Sequence, residues 1–369
     1  MRKKHFSFFP LFMALIFICT FCPASAAEAD EITLKSETAV LVDGDTGRIL
    51  FEKEMHRRMY PASITKIMTA LLALENGKLD DVITMSREAV FSIGRDTSHI
   101  ALDTDEVLTL EEALYAMALA SANDAANGVA EHIGGTMEGF AAMMTGRARE
   151  AGALDTSFAN AHGLFDENHY TTAYDMARIT MAAIKLPAFT KIFSSLSYDM
   201  PPTNKQPKER PLRSANAMMN GKYKYEGVIA GKTGWINQSG NTLVTAARRD
   251  GRTLIAVVMQ APAKNDACED TAALLDYGFS LPAEAFEPET TQAVVLRAAA
   301  PGDAQPGNQA DKSPAALWVS GVLGVLLAGA IALLFWRYTI MKRHCRRRSV
   351  PYALISMEND RGPWYWRIF

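Results

Sequence analysis

The 369-residue sequence predicts an α+β fold. An antiparallel sheet is flanked by helices, an all-helical insertion separates its first strands from its last, and a C-terminal transmembrane helix follows. Three observations carry this prediction. Strand-like runs stand at both ends of the central body, with helix-like runs between them. Apolar residues make up 49% of the chain and charged ones 21%, the balance of a globular body. Two uncharged apolar runs of different length bracket that body.

Taken in order, Arg2, Lys3 and Lys4 precede an apolar run from Leu11 to Phe21, which is too short for a lasting bilayer anchor. Small residues follow at Ala24, Ser25, Ala26 and Ala27, so residues 1–26 read as a secretory signal cleaved after Ala26 or Ala27. Ala39 to Val42 and Arg48 to Phe51 flank the turn Asp43-Gly44-Asp45-Thr46-Gly47, a hairpin signal. Pro61 precedes a helical stretch from Ser63 to Leu74 with Ile64, Ile67, Met68, Leu71 and Leu72 on one face. Thr109, with Glu111 and Glu112 behind it, opens a helix through Ala120. Ser121-Ala122-Asn123-Asp124 interrupts the pattern, which resumes to His132 and recurs at 137–151 and 172–184. Val228 to Lys232, Asn241 to Ala247 and Leu254 to Gln260 read as strands, the last two joined at Asp250-Gly251. A helix from Asp266 to Tyr277 closes the body, which is placed at residues 30–282.

Residues 283–314 are rich in Pro, Gly, Ala and Gln and read as a flexible linker. No charge occurs between Lys312 and Arg337; those 24 residues would make a helix of about 36 Å, against a bilayer core of about 30 Å. Trp318 and Trp336 mark its ends, and residues 315–336 are assigned as the spanning helix. The basic tail, 337–369, opens with Arg337, Lys342, Arg343, Arg346, Arg347 and Arg348, the mark of a cytoplasmic side. The expected location is a single-pass cell-membrane protein with its body on the extracytoplasmic side.

The overall charge of −3 hides an uneven layout. Both ends are basic, while residues 28–336 hold 27 basic and 39 acidic residues. An acidic body is poor material for nucleic-acid binding, which needs clustered cations. The four cysteines form no disulfide framework: Cys19 and Cys22 fall in the signal, while Cys268 and Cys345 lie on opposite sides of the expected membrane. No Cys/His spacing suits a metal, and no cofactor is expected.

Three short motifs carry chemistry. In Ser63-Ile64-Thr65-Lys66 the serine and lysine are three apart and share a helix face. A serine hydroxyl needs a base to become a nucleophile, and lysine serves when burial or a nearby cation lowers its pKa. Lys232-Thr233-Gly234, at the end of an expected strand, supplies that cation in Lys232, a hydroxyl for a substrate carboxylate in Thr233, and room for a close backbone in Gly234. In Ser121-Ala122-Asn123, Ser121 can relay a proton and Asn123 can bond both a substrate amide and Lys66. A Ser-x-x-Lys pair alone arises roughly once or twice by chance in a chain this long. The three in this order form a specific combination.

Here the chain resembles the low-molecular-mass penicillin-binding proteins that act as serine-type D-alanyl-D-alanine carboxypeptidases, over roughly residues 33–282. The likeness rests on 60–70 (YPASITKIMTA), on Asn160-Ala161-His162-Gly163-Leu164 with His169-Tyr170-Thr171-Thr172-Ala173-Tyr174-Asp175-Met176, and on Gly231-Lys232-Thr233-Gly234 with Gly240-Asn241-Thr242-Leu243. The resemblance implies the β-lactamase and penicillin-binding transpeptidase-like fold. By the same likeness Ser63 is acylated and Lys66 is the general base. Ser121, Asn123 and Lys232 assist, Thr233 holds the terminal carboxylate, and the Ser63 and Trp235 N–H groups form the oxyanion hole. The implied partners are peptidoglycan stem peptides as substrate, β-lactams as covalent ligands, and the membrane through the C-terminal helix. His162 and His169 are read as structural, because the lysine already supplies a base. Where many relatives carry a carboxylate-binding arginine, this chain has Ala267, with Lys264 nearby. Two other functions fit parts of the pattern. A class A β-lactamase needs a deacylating glutamate, for which Glu167 is the candidate. A catalytically weak penicillin-binding sensor would signal through the tail and its Trp364-Tyr365-Trp366 cluster.

Overall fold

The computed structural model describes residues 32–287. The expected signal, spanning helix and tail lie outside the described residues, as does the linker from 288 onward. Among the described residues no helix is long and apolar enough to cross a membrane.

A five-stranded antiparallel sheet forms the frame. Its strands are β1 (Thr38–Asp43), β2 (Ile49–Lys53), β7 (Val228–Ile236), β8 (Gly240–Arg249) and β9 (Arg252–Ala261), in the order β2-β1-β9-β8-β7. β1 pairs with β9, Val40 opposite Val257, so the two ends of the body close on each other as expected. The two hairpins also form at the turns their residues predict. β1 and β9 read as continuous apolar runs because both sheet faces are covered. Val40, Val42, Ile255 and Val257 face the helical insertion. Ala39, Leu41, Leu254 and Ala256 face the opposite way, against Leu274 and Leu275 of the closing helix.

Between β2 and β7 run α1 (Lys66–Asn76), α2 (Arg87–Phe91), α3 (Leu110–Leu119), α4 (Asn123–Gly134), α5 (Met137–Glu150), α6 (Ala173–Ala183) and α7 (Pro187–Phe193). Helix α8 (Lys264–Ser280) covers the outer face of the sheet. Local chemistry sets the starts. Thr109 and Glu112 make a reciprocal capping box at α3, and Thr172 caps α6 through the Asp175 N–H. Two small two-stranded antiparallel sheets, β3 (Val82–Thr84) with β4 (Val107–Thr109) and β5 (Ser197–Met200) with β6 (Arg210–Arg213), edge the insertion. Helix α1 is buried all round its first eight residues and packs against α4, α5 and α6. It is the axle of the insertion.

Three expectations change. The stretch from Ser63 to Leu74 is not one α-helix: Ala62–Thr65 form a 3-10 turn and α1 begins at Lys66. The cause is Ala62, held at φ 51° while Gly163 packs against its carbonyl. Lys232-Thr233-Gly234 lies inside β7, not at its end, because β8 continues the ladder opposite it through Val244, Leu243 and Thr242. The compact body also continues through 283–287: Phe286 stacks under Arg252 and the Glu287 carbonyl accepts from Arg48.

Candidate active site

The three motifs, far apart in sequence, converge on one cleft of about 280 Å³. Ser63, Ser121, Thr233, Gly234 and Trp235 line it, together with Ser98, Asn241, Thr242, Lys264, Ala267 and Cys268. Among the described residues no cluster suits a metal ion.

The nucleophile and base come from the 3-10 turn and the start of α1. In a 3-10 turn, residues three apart eclipse, which sets Lys66 directly beneath Ser63. Lys66 Nζ lies 3.1 Å from Ser63 Oγ, 2.7 Å from Asn123 Oδ1 and 2.7 Å from the His162 carbonyl oxygen. Lys66 is 0% exposed. Burial first, then the charge of Lys232, holds its pKa well below the ordinary lysine value, while Asp124 opposes them. A neutral amine has two hydrogens and one lone pair. Carbonyl oxygens cannot donate, so Asn123 and His162 take the two hydrogens and the lone pair is left for the Ser63 hydroxyl. This is the geometry of a general base.

The second motif is presented by a strained bend between α3 and α4, with Ser121 at φ 56°. The Asn123 N–H donates to the Ser98 carbonyl at 2.9 Å. The third motif faces it from β7. Lys232 Nζ donates to Ser121 Oγ at 3.0 Å and to the Thr233 carbonyl at 2.8 Å. Burial pushes Lys232 down to about 7. The expectation for Gly234 is that it lets a substrate approach. The structure gives it another role: a Cβ there would stand 2.8 Å from the Ser63 amide nitrogen and 2.5 Å from Thr242 Oγ1. The close neighbour is the protein's own nucleophile turn. Thr242 completes the junction by donating to the Pro61 carbonyl at 2.9 Å. Trp235, the next residue along β7, is 62% exposed at the cleft.

Both histidines are structural, as expected. The His169 ring accepts from the Ala159 N–H at Nδ1, which leaves Nε2–H to donate to Thr65 Oγ1 at 2.8 Å. The His162 ring accepts from the Leu164 N–H. Burial holds them neutral, with pKa values of about 3 and about 4 for His162 and His169. What the motif search missed is the His162 backbone carbonyl, which has no side-chain signature, and Ser98, which belongs to no motif. Where α8 borders the cleft, Ala267 carries no charge, and Lys264 Nζ donates to the Ala215 carbonyl at 3.0 Å.

The sequence profile of the peptidase S11 family, D-alanyl-D-alanine carboxypeptidase, matches residues 24–263. The chain belongs to that family. It is a serine peptidase and a low-molecular-mass penicillin-binding protein, trimming D-alanyl-D-alanine ends. It is 36% identical to D-alanyl-D-alanine carboxypeptidase DacF of Bacillus subtilis, over 72% of this chain and 69% of that protein. With DacA of Haemophilus influenzae it shares 33% identity over 67% of this chain and 62% of the relative. A crystal structure of D-alanyl-D-alanine carboxypeptidase from Mycobacterium tuberculosis superposes with a TM-score of 0.64 at 27% identity, covering 70% of this chain and 96% of that one. A serine-to-alanine mutant of the Streptomyces K15 DD-transpeptidase gives 0.64 at 25% identity, covering 68% and 100%. These neighbours place the antiparallel sheet and its helices in the penicillin-binding peptidase fold.

Proposed function

We propose that the residues of this family member divide the work as follows. Ser63 Oγ attacks the carbonyl carbon of the penultimate D-alanine of a stem pentapeptide while Lys66 takes its proton. The oxyanion is held by the N–H groups of Ser63 and Trp235, next to the start of α1, where the helix dipole favours negative charge. The amide C–N bond then breaks. The proton passes by way of Ser121, itself held by Lys232, to the departing D-alanine amine. Water attacks the acyl-enzyme, with Lys66 again accepting a proton, and Ser63 is regenerated. Asn123 aligns the substrate amide, and Thr233 with Lys232 receives the terminal carboxylate. A β-lactam acylates the same serine. The observation that carries this reading is the set of three bonds at Lys66 Nζ.

The class A β-lactamase reading lacks its deacylating group. Glu167 is exposed, and among the described residues no carboxylate lines the cleft. The sensor reading rests on Ala267, which leaves the carboxylate end of the cleft without an arginine. We place the enzyme at the outer face of the cell membrane, on the strength of the short apolar N-terminal run and the uncharged 24-residue run before Arg337.

One experiment separates these readings. Purified ectodomain, beside Ser63→Ala, is labelled with fluorescent penicillin and assayed for D-alanine release from a pentapeptide. Labelling with release, both lost in Ser63→Ala, is expected. An unlabelled wild type removes the site assignment. Label without release favours the sensor, and rapid loss of label with β-lactam turnover favours the lactamase.

A further inference from the structure

The cleft wall opposite β7 is a short loop, residues 98–102, that packing alone does not hold. Ser98 lines the active-site cleft. His99, Ala101 and Leu102 line a second cavity of about 280 Å³. Leu102 and the half-buried Ile100 pack on the core, but Ser98, His99 and Ala101 are exposed, so packing leaves the backbone between them unfixed. Ala101 moreover sits at φ 55°, a conformation strained for a non-glycine residue that persists only where the surrounding structure determines it.

The Ala101 N–H donates to His99 Nδ1 at 3.0 Å, and the amides on either side of Ala101 are held by one side chain. The Asp124 carboxylate accepts the Ile100 N–H at 3.2 Å and the Leu102 N–H at 3.1 Å, so its two acceptor bonds straddle Ala101. It also accepts the N–H of Ala125 at 2.9 Å. Backbone amides turned inward around a left-handed residue make an anion cradle. Asp124 is itself buried, in the first turn of α4, one residue beyond Asn123. Asn123 grips the same loop through the Ser98 carbonyl while its side chain holds Lys66.

We propose that Asp124 is a positioning residue of the acyl-transfer site: its carboxylate fastens the 98–102 wall to the helix start that presents Asn123, and its charge acts on Lys66. The inference rests on the acyl-enzyme reading above. Lys66 faces Lys232 from β7, Asp124 from α4, and His162 and His169 from the 160–170 segment. Asp124 faces His99 on the loop it holds, with Arg95 and Asp103 around the second cavity. Removing the negative charge leaves Lys66 with an uncompensated neighbouring cation, so its proton is lost more readily.

The test is the rate of Ser63 labelling by fluorescent penicillin, between about pH 5 and pH 9, in wild type, Asp124→Asn and Asp124→Glu. Asp124→Asn is expected to slow labelling roughly tenfold and to move the acid limb of the profile down by about half a pH unit or more. Asp124→Glu keeps the charge and is expected to keep the limb. A rate and limb in Asp124→Asn equal to wild type overturn the proposal. So does a slowing in both variants with the limb unmoved, which is what a purely structural role gives. A second measurement needs no variant: slow deuterium exchange at the Ile100 and Leu102 amides of wild type is expected, and rapid exchange at both removes the tether. An unlabelled wild type would instead strike at the acyl-enzyme reading itself.

Discussion

Adding one methyl group at Gly234 tests how the nucleophile is framed. In Gly234→Ala the new Cβ would stand 2.5 Å from Thr242 Oγ1, 2.8 Å from the Ser63 amide nitrogen and 3.0 Å from Ala62 Cβ. Ordinary contact begins near 3.5 Å, so the shortfall is roughly half an ångström to one ångström on three sides. None of the three neighbours yields easily. The Ser63 nitrogen belongs to a 3-10 turn locked by Ala62 at φ 51°, and the Thr242 hydroxyl is committed to the Pro61 carbonyl. Strand β7 must therefore move away from Ser63 and take Lys232, Thr233 and Trp235 with it. A displacement of about 1 Å at a reacting centre costs about 10²-fold, and loss of one oxyanion donor about 10²–10³-fold. Labelling of Ser63 by fluorescent penicillin and D-alanine release are both expected to fall by roughly 10²–10³-fold. Stability should fall by only about 1–3 kcal/mol, the usual scale of overpacking. The assay is a labelling time course, beside a thermal melt. Labelling within about threefold of wild type would refute the claim that contact between β7 and the nucleophile turn sets the site.

Other expectations follow from the same geometry. Lys66→Ala should remove acylation, by roughly 10³-fold or more, in protein that still melts cooperatively; wild-type labelling in that variant would contradict its role as base. Acylation by an anionic β-lactam should rise with pH as Lys66 loses its proton and fall again above about 7, where Lys232 becomes neutral. Lys232→Arg, charged throughout, should flatten the alkaline limb, and an unchanged limb would assign it to another group. His162 and His169 bind protons in the unfolded chain near pH 6.5 but in the folded one only near 3 and 4. Their contribution is therefore full above about pH 6.5 and lost as the pH falls toward those values, on the order of 3 kcal/mol or more each. Denaturant melts of wild type and His169→Asn across that range should differ in slope, and parallel curves would remove His169 from the account. Ala267→Arg should raise kcat/KM for D-alanine release by roughly tenfold, the scale of one charge-assisted bond to a carboxylate, and no gain would mean Lys264 and Thr233 already suffice.

Much of this molecule is legible in its sequence, and the exceptions have physical reasons. The three motifs and the long helices α3, α5 and α6 carry strong signals: capping threonines, apolar periodicity and fixed spacings. The hairpins betray themselves through Asp-Gly turns. Helices of five and seven residues, α2 and α7, and strands of three or four are too short for a period to show. The 3-10 turn at Ser63 is hidden because the left-handed Ala62 that opens it packs against Gly163, a hundred positions away. The extra length of β7 comes from pairing with β8, which overrides the weak strand preference of glycine. For the site, side-chain roles follow from residue type. Backbone roles do not: the His162 carbonyl on Lys66 and the Ser98 carbonyl on Asn123 would serve with almost any residue there.

The pairing of β1 with β9 has a consequence for how the enzyme comes into being. A chain emerging from its amino end delivers Ser63 and Lys66 early, and Lys232 only some 170 positions later. Until β7, β8 and β9 arrive, β1 lacks its central partner, the nucleophile turn lacks the wall at Gly234, and Ser121 lacks its lysine. Such long-range closure is slow and completes late. The half-made chain is thus chemically silent: it holds the serine, its amine and that amine's two carbonyl partners, but neither the β7 wall that frames the turn nor the lysine that holds Ser121. Reactivity switches on with the last strands, and a nascent or truncated chain ending before Val228 should ignore penicillin altogether.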